Sequence, residues 1–147
     1  MLEVPLVRLD PDLPVPGYAH PGDAGADLYA RQDALLAPGG GRALVPTGVA
    51  LALPPGYAGF VQPRSGLALR HGVTCLNTPG LIDAGYRDEL RVLLVNTDPA
   101  QPYQVRRGDR IAQLVIQAVE EAKFVQLADG GLSDSSRGLG GFGHTGR

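Results

Sequence analysis

The sequence predicts an all-β sandwich or barrel carrying one short helix and a C-terminal arm. Three observations predict it. Short apolar runs rich in Val, Ile and Leu recur along the chain, each bounded by turn residues. Twenty-one glycines and 13 prolines among 147 residues leave no room for long helices. A single stretch, about two turns long, has helical character.

The elements follow in order. "LEVPLVRL" (2–9) reads as an edge strand, because Pro5 cannot donate to a ladder. "GVALALP" (48–54) sets large Val49, Leu51 and Leu53 against small Ala50 and Ala52, a period of two. "YAGFVQP" (57–63) follows the turn signal "PPG". "SGLALRHG" (65–72) is the helix. "ELRVLLVN" (89–96) and "RIAQLVIQAV" (110–119) begin as alternation and become apolar on both faces, as central strands do. "KFVQL" (123–127) closes the series, so the predicted β core spans 1–127. Residues 128–147 turn to Gly, Ser, Asp and Arg and read as a flexible arm.

Composition narrows the function classes. The length suits one domain. A net charge of −2 without a cationic run argues against a nucleic-acid binder. The lone Cys75 excludes an internal disulfide and has no metal-site spacing, and His20, His71 and His144 show none either. With no signal peptide and no run of 18 apolar residues, a soluble cytoplasmic protein without membrane contact is expected.

Several motifs carry polar chemistry. "PRSGLA" (63–68) sets Arg64, Ser65 and Gly66 where a strand passes into the helix. They suit a phosphate, or else Ser65 is an N-cap beside a solvated arginine. In "NTPGLIDAGYRDEL" (77–90), Asp83 follows apolar Leu81 and Ile82. A carboxylate in such a half-apolar hairpin serves as a general base, or it bonds its own turn. "GDAGADLYA" (22–30) holds Asp23 and Asp27, which suit Mg²⁺ or, for Asp23, turn chemistry. Gln113, an amide within an apolar strand, must find a partner or face a polar site. "GLGGFG" (138–143) matches a dinucleotide fingerprint literally, but the chain stops four residues later, with no helix to follow.

Taken in order, "DAGADLYA", "PRSGLA", "GLIDAGYRDEL", "RRGDRIAQLVI" and "SRGLGGFGHTG" resemble the five motifs of the trimeric deoxyuridine triphosphate nucleotidohydrolases, over roughly residues 20–147. The resemblance implies a jelly-roll-like β subunit and a homotrimer with active sites at subunit contacts. It also implies hydrolysis of dUTP to dUMP and pyrophosphate with Mg²⁺ on the triphosphate, which limits uracil in DNA and supplies dUMP for dTMP synthesis. By residue, Asp27 matches the aspartate that holds Mg²⁺ through a water, and Arg64, Ser65, Gly66 and Gln113 match phosphate contacts. Asn77, Leu81 and Ile82 fall on the uracil-reading hairpin, Asp83 on the water-activating aspartate and Tyr86 on the ring under the deoxyribose. Arg137, Phe142 and Gly143 fall on the arm that closes a neighbouring subunit's site, Arg137 on the terminal phosphate and Phe142 over uracil.

The sequence departs from the family pattern in places. Asp88 stands where glycine is usual and His144 where serine is commoner. A related branch, the dCTP deaminases and their bifunctional form, carries a glutamate where this chain has Leu93, which cannot shuttle protons. A catalytically silent nucleotide-sensing module on the same fold is the other alternative. Against it stands the joint presence of Asp83, Arg137 and Phe142.

Overall fold

A computed structural model describes residues 1–146. Eleven strands and one helix follow the chain among the described residues: β1 (Leu6–Arg8), β2 (Ala26–Tyr29), β3 (Ala34–Leu36), β4 (Arg42–Pro46), β5 (Val49–Leu51), β6 (Tyr57–Gln62), α1 (Ser65–His71), β7 (Val73–Cys75), β8 (Gly80–Ile82), β9 (Arg91–Asn96), β10 (Tyr103–Val105) and β11 (Arg110–Ala118). They form one sheet in the order β2-β11-β6-β8, a second in the order β4-β9-β7, and two ribbons, β1-β5 and β10-β3. Every pairing is antiparallel.

A single apolar cluster draws on both sheets, both ribbons and the helix. Leu28, Val61 and Leu114 come from the first sheet, Val45, Val92 and Leu94 from the second, Leu36, Leu51 and Val105 from the ribbons, and Leu67 from α1. Period-two patterning explains the register in β5 and beyond, where Val49, Leu51 and Leu53 are buried and Ala50 and Ala52 lie between them half-buried. In β9, Val92, Leu94 and Val95 are all buried, as a strand covered on both faces requires. Asn96 is buried too, and its amide donates to the Leu36 and Gln101 carbonyls at 3.2 and 2.8 Å.

Two expectations need correction. The N-terminal strand shrinks to Leu6–Arg8 and pairs only with β5, while Pro5 contributes a carbonyl to Ala52 N–H at 3.0 Å. The strand expected over 123–127 is not formed: Phe124 is 95% exposed and Val125 69%. No edge of the same chain pairs with this segment, and an extended segment without a neighbour has no ladder to hold it. The last strand therefore ends at Ala118. Beyond it, residues 128–146 form turns without helix or strand.

Candidate active site

The phosphate-type residues converge. Asp27 on β2 pairs with Gln113 on β11, and Gln113 pairs with Gln62 at the end of β6. Arg64, Ser65 and Gly66 follow that end directly, so one row across the first sheet runs into the start of α1. Asp27, Arg64, Ser65, Gly66 and Gln113 line one depression of about 520 Å³. The helix begins at Ser65 itself. Its N-cap is Arg64, at φ −94° and ψ 127°, and no side chain caps it. The N-cap reading of Ser65 therefore fails, and its hydroxyl is left to the depression.

Packing fixes Gln113. Its amide donates to the Pro63 carbonyl at 3.0 Å, and a Cβ on Gly25 would collide with its side-chain oxygen. Asp27, with only 16% of its side chain exposed, faces two cations: Arg64 Nε at 3.6 Å and Arg110 Nη1 at 3.4 Å. Arg64 also donates to the Arg110 carbonyl at 3.3 Å. Arg110 reaches Asp27 because β11 carries an irregularity between Arg110 and Ala112. Regular alternation would send Arg110 to the face opposite Gln113. The bulge turns it back and leaves Ile111 and Ala112 both buried. Asp23 follows the turn reading, accepting the His20 N–H at 2.8 Å.

The hairpin region behaves differently. The turn after β8 is closed by main chain, Tyr86 N–H to the Asp83 carbonyl at 3.0 Å, so the Asp83 carboxylate does not bond its own turn. Among the described residues Asp83 forms no ion pair. It is exposed rather than held in a half-apolar pocket, at the side of a depression of about 330 Å³ shared with Tyr57, Val119 and Glu121. The expected pocket is absent because nothing in the same chain covers this edge strand. Tyr86 is anchored through its hydroxyl to the Glu89 carbonyl at 2.9 Å. Asn77 lies against Gly80, where a Cβ would meet its amide nitrogen at 3.3 Å. Leu81 is exposed and Ile82 half-buried.

The two groups do not meet within one chain. Asp27 on β2 and Asp83, just past the end of β8, lie at opposite edges of the first sheet, three inter-strand steps or about 14 Å apart across it. They are offset along the strands as well, since Ile82 pairs with Gly59 while the row of Asp27 meets Gln62. The arm joins neither group. Arg137 donates to the Gly140 carbonyl at 2.9 Å, and Phe142, at φ 51°, is fully exposed beside Gly143.

This arrangement has counterparts among known proteins. The family profile described as dUTPase matches residues 12–146. The chain belongs to the dUTPase family. It is 64% identical over 145 residues to the deoxyuridine 5'-triphosphate nucleotidohydrolase of Thermobifida fusca, covering 99% of this chain and 79% of that one. It is 56% identical to the enzyme of the same name from Mycolicibacterium vanbaalenii, covering 96% and 93%. Among solved structures, it resembles the Staphylococcus bacteriophage 80alpha dUTPase with dUPNHPP, at a TM-score of 0.89 and 27% identity over the whole of both chains. It also resembles a point mutant of the dUTPase from phage phi11 of S. aureus, described as revealing the coordination of a structural Mg(II) ion. That likeness has a TM-score of 0.77 and 25% identity over 86% of this chain and 97% of that one.

In this member of the dUTPase family the departure at Asp88 is accommodated without strain. Phe142 is the one non-glycine residue with positive φ among the described residues, so Asp88 does not need glycine's freedom. Its carboxylate instead accepts the Glu89 N–H at 2.7 Å and pairs with Arg91 at 3.4 Å. Leu93, half-buried and paired with Leu44, offers no proton-transfer group. No three His, Cys, Asp or Glu side chains gather as a metal site among the described residues. Asp27 and Asp23 are oxygen donors of the kind Mg²⁺ takes, and so small a set fits an ion whose remaining ligands are water and phosphate. No helix among the described residues is long and apolar enough to cross a membrane.

Two residues of this depression, Arg70 and Arg110, escaped the sequence reading. For Arg110 a signal existed: two consecutive buried-type residues, Ile111 and Ala112, between a cation and Gln113 break period two, as a bulge does. For Arg70 the signal was its spacing of four from Gly66 on a helix.

Proposed function

We propose that Asp83 activates the water with which this chain hydrolyses dUTP to dUMP and pyrophosphate. Asp83 accepts a proton from the water as its oxygen bonds to the α-phosphorus, and the bond from that phosphorus to the bridging oxygen breaks, releasing pyrophosphate. Arg64, Arg110, Gln113 and the Ser65 hydroxyl receive the phosphate oxygens and neutralise their charge. Asp27 would hold Mg²⁺ through a water, and the ion would supply further charge neutralisation on the triphosphate. Asn77, Leu81 and Ile82 read uracil, and the Tyr86 ring supports the deoxyribose.

One observation carries this reading. The Asp83 carboxylate is free of any role in its own turn, while its turn is closed without it. An aspartate kept for its turn would be bonded there, whereas this carboxylate is available to a water.

The site is completed in a homotrimer. Asp27 and Asp83 lie too far apart in one chain to grip one triphosphate together, and Phe124, Val125 and Leu127 leave exposed apolar side chains after β11. The arm then lays Arg137, Phe142 and Gly143 over a site formed by other copies, ordering as substrate binds. The single thiol Cys75 is buried and pushed up to about 11 by that burial, an inert core residue compatible with a cytoplasmic setting.

Pyrophosphate release from dUTP with Mg²⁺ tests the reading. Asp83→Asn is expected to bind a non-hydrolysable dUTP analogue normally while turnover falls by on the order of 10²–10⁴. Near-native turnover in that variant would exclude Asp83 as the base.

A further inference from the structure

Arg70 stands one helical turn after Gly66 in α1, so the two share a face and the long side chain leans back toward Gly66. A Cβ placed on Gly66 would lie 2.8 Å from Arg70 Nη2 and 3.2 Å from Nη1. The guanidinium therefore lies across the Gly66 Cα, where a side chain at 66 would have to displace it. There it lines the same depression as Asp27, Arg64, Ser65 and Gln113.

The other charges of that depression are already engaged. Arg64 and Arg110 both face Asp27, at 3.6 and 3.4 Å, and Asp23 accepts the His20 N–H. Arg70 forms no ion pair among the described residues. Stabilising the end of α1 does not explain it either. That end is closed by Gly72, whose N–H meets the Ala68 and Leu67 carbonyls, while the Arg70 guanidinium lies toward the other end.

We propose that Arg70 is a phosphate-binding residue that holds the β- and γ-phosphates of dUTP and the departing pyrophosphate. This rests on the hydrolysis reading above. The α-phosphorus must lie at Asp83 with the base beyond it, so the depression that lacks Asp83 takes the outer end of the triphosphate. Arg64 and Arg110 share their charge with Asp27, whereas Arg70 brings an unshared one and a planar fork of donors suited to phosphate oxygens.

Direct binding to the full chain, with Mg²⁺ present, tests this with three probes: dUMP, inorganic pyrophosphate and a non-hydrolysable imido analogue of dUTP. Arg70→Gln is expected to weaken the analogue and pyrophosphate about 10- to 100-fold, leave dUMP unchanged and raise KM for dUTP more than it lowers kcat. Arg70→Lys is expected to restore part of the loss, since a point charge still attracts phosphate. Unchanged pyrophosphate and analogue binding would overturn the proposal, and so would an equal loss for dUMP. Should the wild type release no pyrophosphate from dUTP, the hydrolysis reading falls, yet pyrophosphate binding to wild type and Arg70→Gln still decides the role of Arg70.

Discussion

Gly25 shows how a residue without chemistry can govern a site. Its φ is ordinary, and its role is to leave space for the Gln113 amide, which would otherwise collide with a Cβ. Gly25→Ala is expected to push that amide off the Pro63 carbonyl. The expected outcome is a loss of about 1–3 kcal/mol in stability, read as a lowered Tm, together with a raised KM for dUTP. At this scale the sequence was informative where a residue type contradicted its surroundings. Gln113 in an apolar strand pointed to a polar site, and an Asp after "GLI" pointed to the hairpin. It was least informative about Arg70 and Arg110, because an arginine on a short helix or at a strand end is ordinarily solvated, and only packing against Gly66 or a bulge shows otherwise.

Among the elements, the long alternating runs were legible and the short ones were not. β6, β9 and β11 each declare themselves through period two or a doubly buried run, and the three-residue β5 does so because its alternation runs on to Leu53. By contrast, β3, β7 and β10 have three residues each and no longer run around them. The segment 123–127 failed for a different reason: its pattern is that of a strand, but a pattern cannot name a partner. Side-chain ion pairs between elements are likewise hidden from sequence. Asp10, just after β1, meets Arg107 ahead of β11 and Arg31 after β2. The hydrogen bond from Arg107, more than any other influence, holds the Asp10 carboxyl at about 2, below its ordinary 3.8. A lowered carboxyl pKa stabilises the fold above the ordinary value, and that contribution disappears as pH falls through the folded one. Thermal melts of wild type and Asp10→Asn are therefore expected to differ above about pH 4 and to converge by about pH 2. Curves separated equally at both ends would show that this pair does not couple stability to pH.

At the level of the whole molecule, the β core follows from the residues themselves, whereas the proposed division of the site between copies does not. Periodicity reports which faces are buried, and it is silent on which edges a second chain completes. The separation of Asp27 from Asp83 across the sheet makes the division testable. Asp83→Asn and a chain truncated before Ser133 are each expected to be nearly inactive alone. After mixing under conditions that exchange subunits, pyrophosphate release is expected to recover, because some sites then draw an intact Asp83 and an intact arm from different chains. Mixtures that stay as inactive as their components would place the whole site within a single chain.

The placement of Asp27 and Asp83 on opposite margins of one sheet also bears on the life of a newly made protomer. Under the proposed homotrimer, a freshly translated chain folds its core yet remains idle toward its phosphoanhydride substrate. Catalysis then switches on with assembly, at a threshold set by how many copies the cell holds.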